Sequence, residues 1–158
     1  MRPLGSRFGM GGFTATEMLV VLAIVGIITA IAAPNMAAMI RNQRVKTAAF
    51  DLFASLTLAR SEAIKRNTAV TLTPNLGDWG RGWQVNDANG NLLKQDRVLG
   101  PTEAIPVTVA IVGGPNVTFA RNGRLNGGAV QFNLASVSGA QTFIRCVAVD
   151  LSGRPRTC

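Results

Sequence analysis

From Met18 to Ile40 this chain has no charged side chain, and that run limits what it can fold into more than any other feature. The run exceeds the ~20 helical residues that cross a hydrocarbon core. It is apolar on every face, so it has to be buried in lipid or among other helices. Arg2 and Arg7 precede it, and basic flanks stay on the cytoplasmic side, which sends the rest of the chain outward. Glu17 stands at the start of the run. A carboxylate there is favoured by the helix dipole. Deep in lipid it costs roughly 2.5–3.5 kcal/mol on insertion scales, so it needs a partner or the interface; an acid that merely snorkels to the surface is the plainer alternative. An ordinary transmembrane anchor satisfies these facts. A secretory signal peptide cut after Ala30-Ile31-Ala32 is a second option, because small residues have that spacing at signal-peptidase sites. Against it stand the acid between leader and core and a helical pattern that carries on past the cut.

Between Met36 and Arg66 there is no Gly or Pro. Val45, Ala49, Leu52, Leu56, Ala59 and Ala63 recur at spacings of four and three, an apolar stripe along one helix face. Arg41, Arg44, Lys46, Asp51, Arg60, Lys65 and Arg66 lie mostly off that stripe, and Glu62 with Arg66 makes an i, i+4 pair. Residues 13–66 therefore predict one helix of about 80 Å, with Pro34 expected to kink it or melt it locally. Its first half belongs in lipid or among helices, and its second half packs on a globular head.

That head, Asn67 to Cys158, has roughly 90 residues, enough for one small core. Strands are expected at Ala69–Thr73, Gln84–Val85, Val107–Val112, Val117–Ala120, Val130–Leu134 and Thr142–Val149. Asn89-Gly90 reads as a hairpin turn. Gly113-Gly114, Asn122-Gly123 and Gly127-Gly128 separate the later strands. The fold class is α+β: a long N-terminal helix on a small antiparallel β-sheet head.

Gly12-Phe13-Thr14, then Glu17 ahead of the apolar run, resembles the N-terminal motif of type IV pilins and type II secretion pseudopilins. In the head, Leu58-Ala-Arg-Ser-Glu-Ala-Ile64, the Trp79/Trp83 pair, Thr118-Phe-Ala-Arg-Asn-Gly-Arg124 and a cysteine-bearing C-terminal strand are similar to the FimT/GspH branch of minor pilins. The resemblance implies cleavage by a prepilin peptidase after Gly12, leaving Phe13 as a commonly methylated first residue. It implies that Glu17 meets the N-terminal amine of a neighbouring pilin during assembly. It also implies a single-pass inner-membrane protein with a periplasmic head that can enter a pilus. The organisation is then a leader over residues 1–12, a membrane or filament-core half-helix over 13–40, an amphipathic half-helix over 41–66 and a β head over 67–158.

Export places Cys146 and Cys158 in an oxidising compartment if the cell has two membranes, where a disulfide is the default; two unrelated thiols are the alternative. The bond would close the final hairpin, whose natural turn is Ser152-Gly153. On that hairpin, Gly153-Arg154-Pro155-Arg156 holds two guanidinium groups around a residue that fixes φ, an arrangement suited to phosphate. In FimT-type proteins a C-terminal Gly-Arg-X-Arg motif is associated with binding DNA during natural transformation, and Gly153, Arg154 and Arg156 match it. Arg121, Arg124 and Arg145 add charge to the same segment, and the whole chain carries a formal net charge of +8. Arg145 alternates with Phe143 and Val147, which leaves its face open. A solvated basic surface, or one that docks acidic neighbours, accounts for the same residues.

With no His and no Tyr, His-based acid–base catalysis and His metal ligation are absent. No glycine-rich phosphate loop precedes a helix. The expectation is a non-enzymatic minor pilin without cofactor or metal that binds double-stranded DNA independently of sequence. The alternatives are a GspH-like pseudopilin or structural minor pilin whose contacts are with proteins only, and a membrane-anchored envelope domain outside any filament.

Overall fold

The computed structural model describes residues 12–97, 106–138 and 141–158, without the side chains of 33–35 and 138. Residues 1–11 of the expected leader, with Arg2 and Arg7, lie outside the described residues. The chain divides into two units, Met1–Met36 and Ala37–Cys158.

Helix α1 spans Ala15–Arg66. It starts two residues later than expected because Thr14 caps it. Thr14 Oγ1 accepts the Glu17 amide at 3.3 Å, while Glu17 Oε2 accepts the Thr14 amide at 2.9 Å and its hydroxyl at 2.8 Å. This reciprocal Thr-x-x-Glu box satisfies donors that the first turn leaves open. In the first unit, the window Ala15–Ala32 has a mean hydropathy of 2.3 and none of it is buried. This helix is thus long and apolar enough to cross a membrane. The helix runs without a break through Pro34, so the chain does not melt there. It stops at Asn67, which takes φ 52°. The Thr68 amide reaches the Ala63 carbonyl and the Asn67 amide that of Ile64, the bond pair that closes a helix on a left-handed residue.

In the second unit, the helix buries Val45, Ala48, Ala49, Leu52, Ser55, Leu56, Ala59 and Ala63. This is the stripe read from the sequence, plus Ala48 and Ser55. It packs into one core with two four-stranded sheets, where the sequence led us to expect one. The first sheet has the order β3-β2-β1-β5 and comprises β1 (Val70–Asn75), β2 (Asp78–Asp87), β3 (Leu92–Asp96) and β5 (Val117–Phe119). The second has the order β4-β6-β7-β8 and comprises β4 (Thr108–Val112), β6 (Val130–Ser138), β7 (Gln141–Val149) and β8 (Pro155–Thr157). Every pairing is antiparallel.

The expected strand at Gln84–Val85 is the end of a ten-residue strand that begins at Asp78. Glycines usually weaken strands, but here they admit neighbours. A Cβ on Gly82, at φ 98°, would collide with the Asp96 carbonyl, and one on Gly80 would lie 3.3 Å from that of Val107. Trp79 and Trp83 are both buried as a result. The Trp83 indole donates to Asp96 Oδ2 at 3.1 Å, and the same oxygen accepts the Ser55 hydroxyl and an ion pair from Lys94 at 2.8 Å.

Candidate nucleic-acid interface

β7 turns into β8 over Asp150–Arg154. The Gly153 amide donates to the Asp150 carbonyl at 2.9 Å and the Asp150 amide to the Arg154 carbonyl at 3.5 Å. Asp150 Oδ1 accepts both the Ser152 hydroxyl and the Arg154 amide, the way a short acidic side chain stabilises a tight turn. The Ser152 hydroxyl first, then the Arg154 amide and, more weakly, the Arg156 charge hold the Asp150 carboxyl below the usual carboxylate range. Arg154 and Arg156 are exposed. Arg156 pairs with Ala148 and so projects from the sheet face away from Val147 and Val149, which are buried. Cys146 and Cys158 are bonded, with Cα atoms 5.2 Å apart. They sit one register step beyond Val147 and Thr157 and close the open end of the hairpin.

A second turn has the same build. Over Ala120–Arg124, the Gly123 amide donates to the Ala120 carbonyl at 2.7 Å and the Ala120 amide to the Arg124 carbonyl at 2.8 Å. Each turn ends in Gly-Arg, and the two glycines take nearly equal left-handed angles, φ 74° at Gly123 and 77° at Gly153. The turns touch through these glycines. A Cβ on Gly153 would collide with the Gly123 carbonyl and lie 3.3 Å from the Arg124 Cα. Gly123 in turn lies on α1, against Ile64, and its carbonyl accepts Arg60 Nε at 3.1 Å. Arg121 and Arg124, both exposed, thus belong to a turn packed on the one that carries Arg154.

The structure does not bring Arg145 into this group. Its Nη2 donates to Asn42 Oδ1 at 3.3 Å. Asn42 lies about 27 Å along the helix from Arg60, and Arg145 lies about 17 Å along β7 from Asp150. Arg145 also points to the opposite sheet face from Arg156. Phe143, half-buried against the core, and buried Val147 identify its face as the one turned to the helix.

Sequence reasoning missed Arg60 and the kinship of the two turns. The available signal was the recurring polar-Gly-Arg triplet, Asn122-Gly123-Arg124 and Ser152-Gly153-Arg154. At the other end of the chain, Gly12 and Phe13 are exposed ahead of the helix cap and Glu17 sits within it. Among the described residues no three His, Cys, Asp or Glu side chains converge as metal ligands would.

The family model for the type II transport protein GspH matches residues 48–153. No curated protein sequence matches the chain. Among solved structures, the fold is similar to the type IV minor pilin FimU of Pseudomonas aeruginosa (strain PAO1). Identity is 25% over 73% of this chain and 89% of that one, with a TM-score of 0.57. It is also similar in fold to the minor pseudopilin EpsH from the type 2 secretion system of Vibrio cholerae. There identity is 12% over 73% of this chain and 96% of that one, with a TM-score of 0.50.

Proposed function

This chain belongs to the GspH family of minor pilins and pseudopilins, and from that premise we propose that it is a minor pilin that binds double-stranded DNA through phosphate contacts and aids DNA uptake in natural transformation. The observation that carries the reading is the pair of like-built Gly-Arg turns packed glycine to glycine. Arg154, Arg156, Arg124 and Arg121 reach solvent from this one assembly. Arginine contacts to phosphate carry no sequence information, so unrelated duplexes bind alike.

The test is a titration of the full chain in detergent against duplex DNA at several salt concentrations. With about three phosphates neutralised, log K falls with log salt at a slope near −3. Arg154→Ala and Arg156→Ala each weaken binding and flatten that slope by about one. Hairpin variants that bind as the wild type does would remove the assigned site. A wild type that fails to bind at low salt leaves the pseudopilin reading, with contacts to proteins only.

The same proposal covers the N-terminus. Prepilin peptidase cuts between Gly12 and Phe13, the new amine is methylated, and the apolar helix anchors the chain once across the inner membrane with the head in the periplasm. On entry into a pilus, Glu17 meets the amine of a neighbouring subunit. N-terminal sequencing of the native protein tests this. A start at Ala33 would mean signal-peptidase cleavage and would sink the filament reading.

A further inference from the structure

Asn-Gly occurs three times in the sequence, at Asn89-Gly90, Asn122-Gly123 and Asn126-Gly127. Such a pair is chemically labile, because glycine has no side chain to keep its amide nitrogen away from the asparagine side-chain carbonyl carbon. The three dipeptides are alike, so the fold alone separates them. The Gly90 amide donates to the Asp87 carbonyl at 3.0 Å, and the Gly123 amide to the Ala120 carbonyl at 2.7 Å. The Asn122 side chain is held as well, since its Oδ1 accepts the Arg124 amide at 3.1 Å. Asn126 is anchored through its backbone amide, which donates to the Thr118 carbonyl at 2.8 Å. Among the described residues, neither the Asn126 side chain nor the Gly127 amide has a hydrogen-bond partner. Asn126, Gly127 and Gly128 are all exposed, and a Cβ on either glycine would meet nothing within 4 Å.

We propose that Asn126 is a site of spontaneous deamidation, and that the carboxylate it gains weakens the arginine site beside it. The Gly127 amide, with no acceptor holding its proton, gives it to hydroxide, and the nitrogen attacks Cγ of Asn126. The N–Cγ bond forms, the Cγ–Nδ2 bond breaks, and Nδ2 leaves as ammonia with a proton from water. A second water then opens the cyclic imide at either carbonyl, giving aspartate or its isoaspartyl isomer. At Gly90 and Gly123 the same attack first has to break a hydrogen bond in a tight turn. The consequence for binding follows from position. Arg124 and Asn126 flank half-buried Leu125, which bridges Phe119. Both are exposed, about 7 Å apart along the chain. An acid at that distance offsets part of the Arg124 charge and repels the phosphates it would meet. The chemistry at Asn126 stands by itself; its effect on binding rests on the reading of the arginine turns as a DNA site.

The experiment ages the full chain in detergent at mildly alkaline pH and maps aspartate and isoaspartate by mass after digestion at acid pH, where the reaction stalls. Conversion at position 126 should outpace that at 89 and at 122 by about five-fold, the factor that one intact hydrogen bond supplies. In denaturant, where the turns are gone, the three rates should converge. Duplex DNA titrated against the same samples should show affinity falling about three-fold as position 126 converts. Unaged Asn126→Asp should start at that lower affinity. Asn126→Gln, whose longer side chain closes its ring slowly, should keep the unaged value throughout. Equal rates at the three positions of the folded chain, or faster conversion at 89 or 122, overturn the site. A rate order that persists in denaturant overturns the hydrogen bonds as its cause. Conversion at 126 with unchanged DNA affinity overturns the effect on binding. An unaged wild type that does not bind DNA removes the DNA reading and that effect with it, and the mapping still decides the deamidation.

Discussion

The two ends of the head are fastened to the helix in the same way yet present different surfaces. At one end Arg60 donates to the Gly123 carbonyl, and at the other Arg41 donates to that of Val137. Around Arg60, arginines on tight turns reach solvent together with Asp150 and the apolar Ile64 and Leu151. Around Arg41 the exposed groups include Arg145, with Val137 and Ile144 on the other face of the sheet, in stretches of sequence without an acid. A net charge of +8 is therefore not one surface. A guanidinium that finds a backbone carbonyl becomes a fastener inside the molecule. One held on a turn whose carbonyls are already paired stays available to an outside anion.

If the two ends are independent, damage to one leaves the other intact, and this can be pressed in order of severity. Replacing Cys146 and Cys158 together with serine should cost on the order of 2–4 kcal/mol of stability, read by denaturant unfolding. It should loosen the arginine turn and weaken DNA binding, while the bond from Arg41 to the Val137 carbonyl, read by hydrogen exchange of the β6–β7 pairing, persists in the fraction that stays folded. Parallel loss of both would show that the ends are coupled.

Gly153→Ala comes next. It forces φ 77° on a residue with a Cβ and drives that atom into the Gly123 carbonyl, for about 1–3 kcal/mol. Gly90→Ala is the control, since its φ of 83° is similar and nothing lies within 4 Å of the added atom. The difference in unfolding free energy between the two isolates the contact between turns, and only Gly153→Ala should impair DNA binding.

Arg60→Ala and Arg41→Ala should each cost about 1 kcal/mol, the net worth of one hydrogen bond. The first should reduce DNA affinity and the second leave it unchanged; the reverse assignment would break the comparison.

The smallest effects are in pH. The Asp150 carboxyl is held low when folded, so what it gives the turn is complete above the unfolded pKa of about 3.9. That contribution is lost as pH falls through the lower folded value, and hydrogen exchange of the Arg154 amide should report it. Asp51 has the opposite sign. Burial first and then the nearby Asp96 raise its pKa, so it opposes folding at neutral pH and is relieved as pH falls through the raised value. Asp51→Asn should stabilise the head by no more than about 0.5 kcal/mol, since the site is largely solvated. With no histidine in the chain, no side chain titrates at an unperturbed pKa between pH 5 and 8.

What could be read in advance follows from how local each signal is. The stripe from Val45 to Ala63 was legible because burial on a helix repeats every three or four residues. The Cys146–Cys158 pairing was legible because the chain has two cysteines. The strand from Asp78 to Asp87 was legible only at Gln84–Val85, because glycines weaken strands and the purpose of Gly80 and Gly82, the approach of Asp96 and Val107, lies elsewhere in the chain. β3 escaped notice since Leu92-Leu-Lys-Gln-Asp96 is a half-exposed edge strand without clean alternation. The arginines of the candidate site were legible one at a time. Their grouping was not, because Gly123 meets Gly153 through backbone atoms thirty residues apart, and a contact without side chains leaves no pattern in composition or period.

The disulfide has a mechanical side. β8 is three residues long and pairs with β7 only from Pro155 to Thr157. A strand that short, pulled by tension on something bound to Arg154 or Arg156, would peel away one hydrogen bond at a time. Both arginines lie inside the covalent ring closed by Cys146 and Cys158, so peeling stops at the sulfur bridge. Load then passes into β7, which is paired along its length with β6. The segment between the two cysteines is thereby built as a loop sewn at both ends to the middle of a sheet.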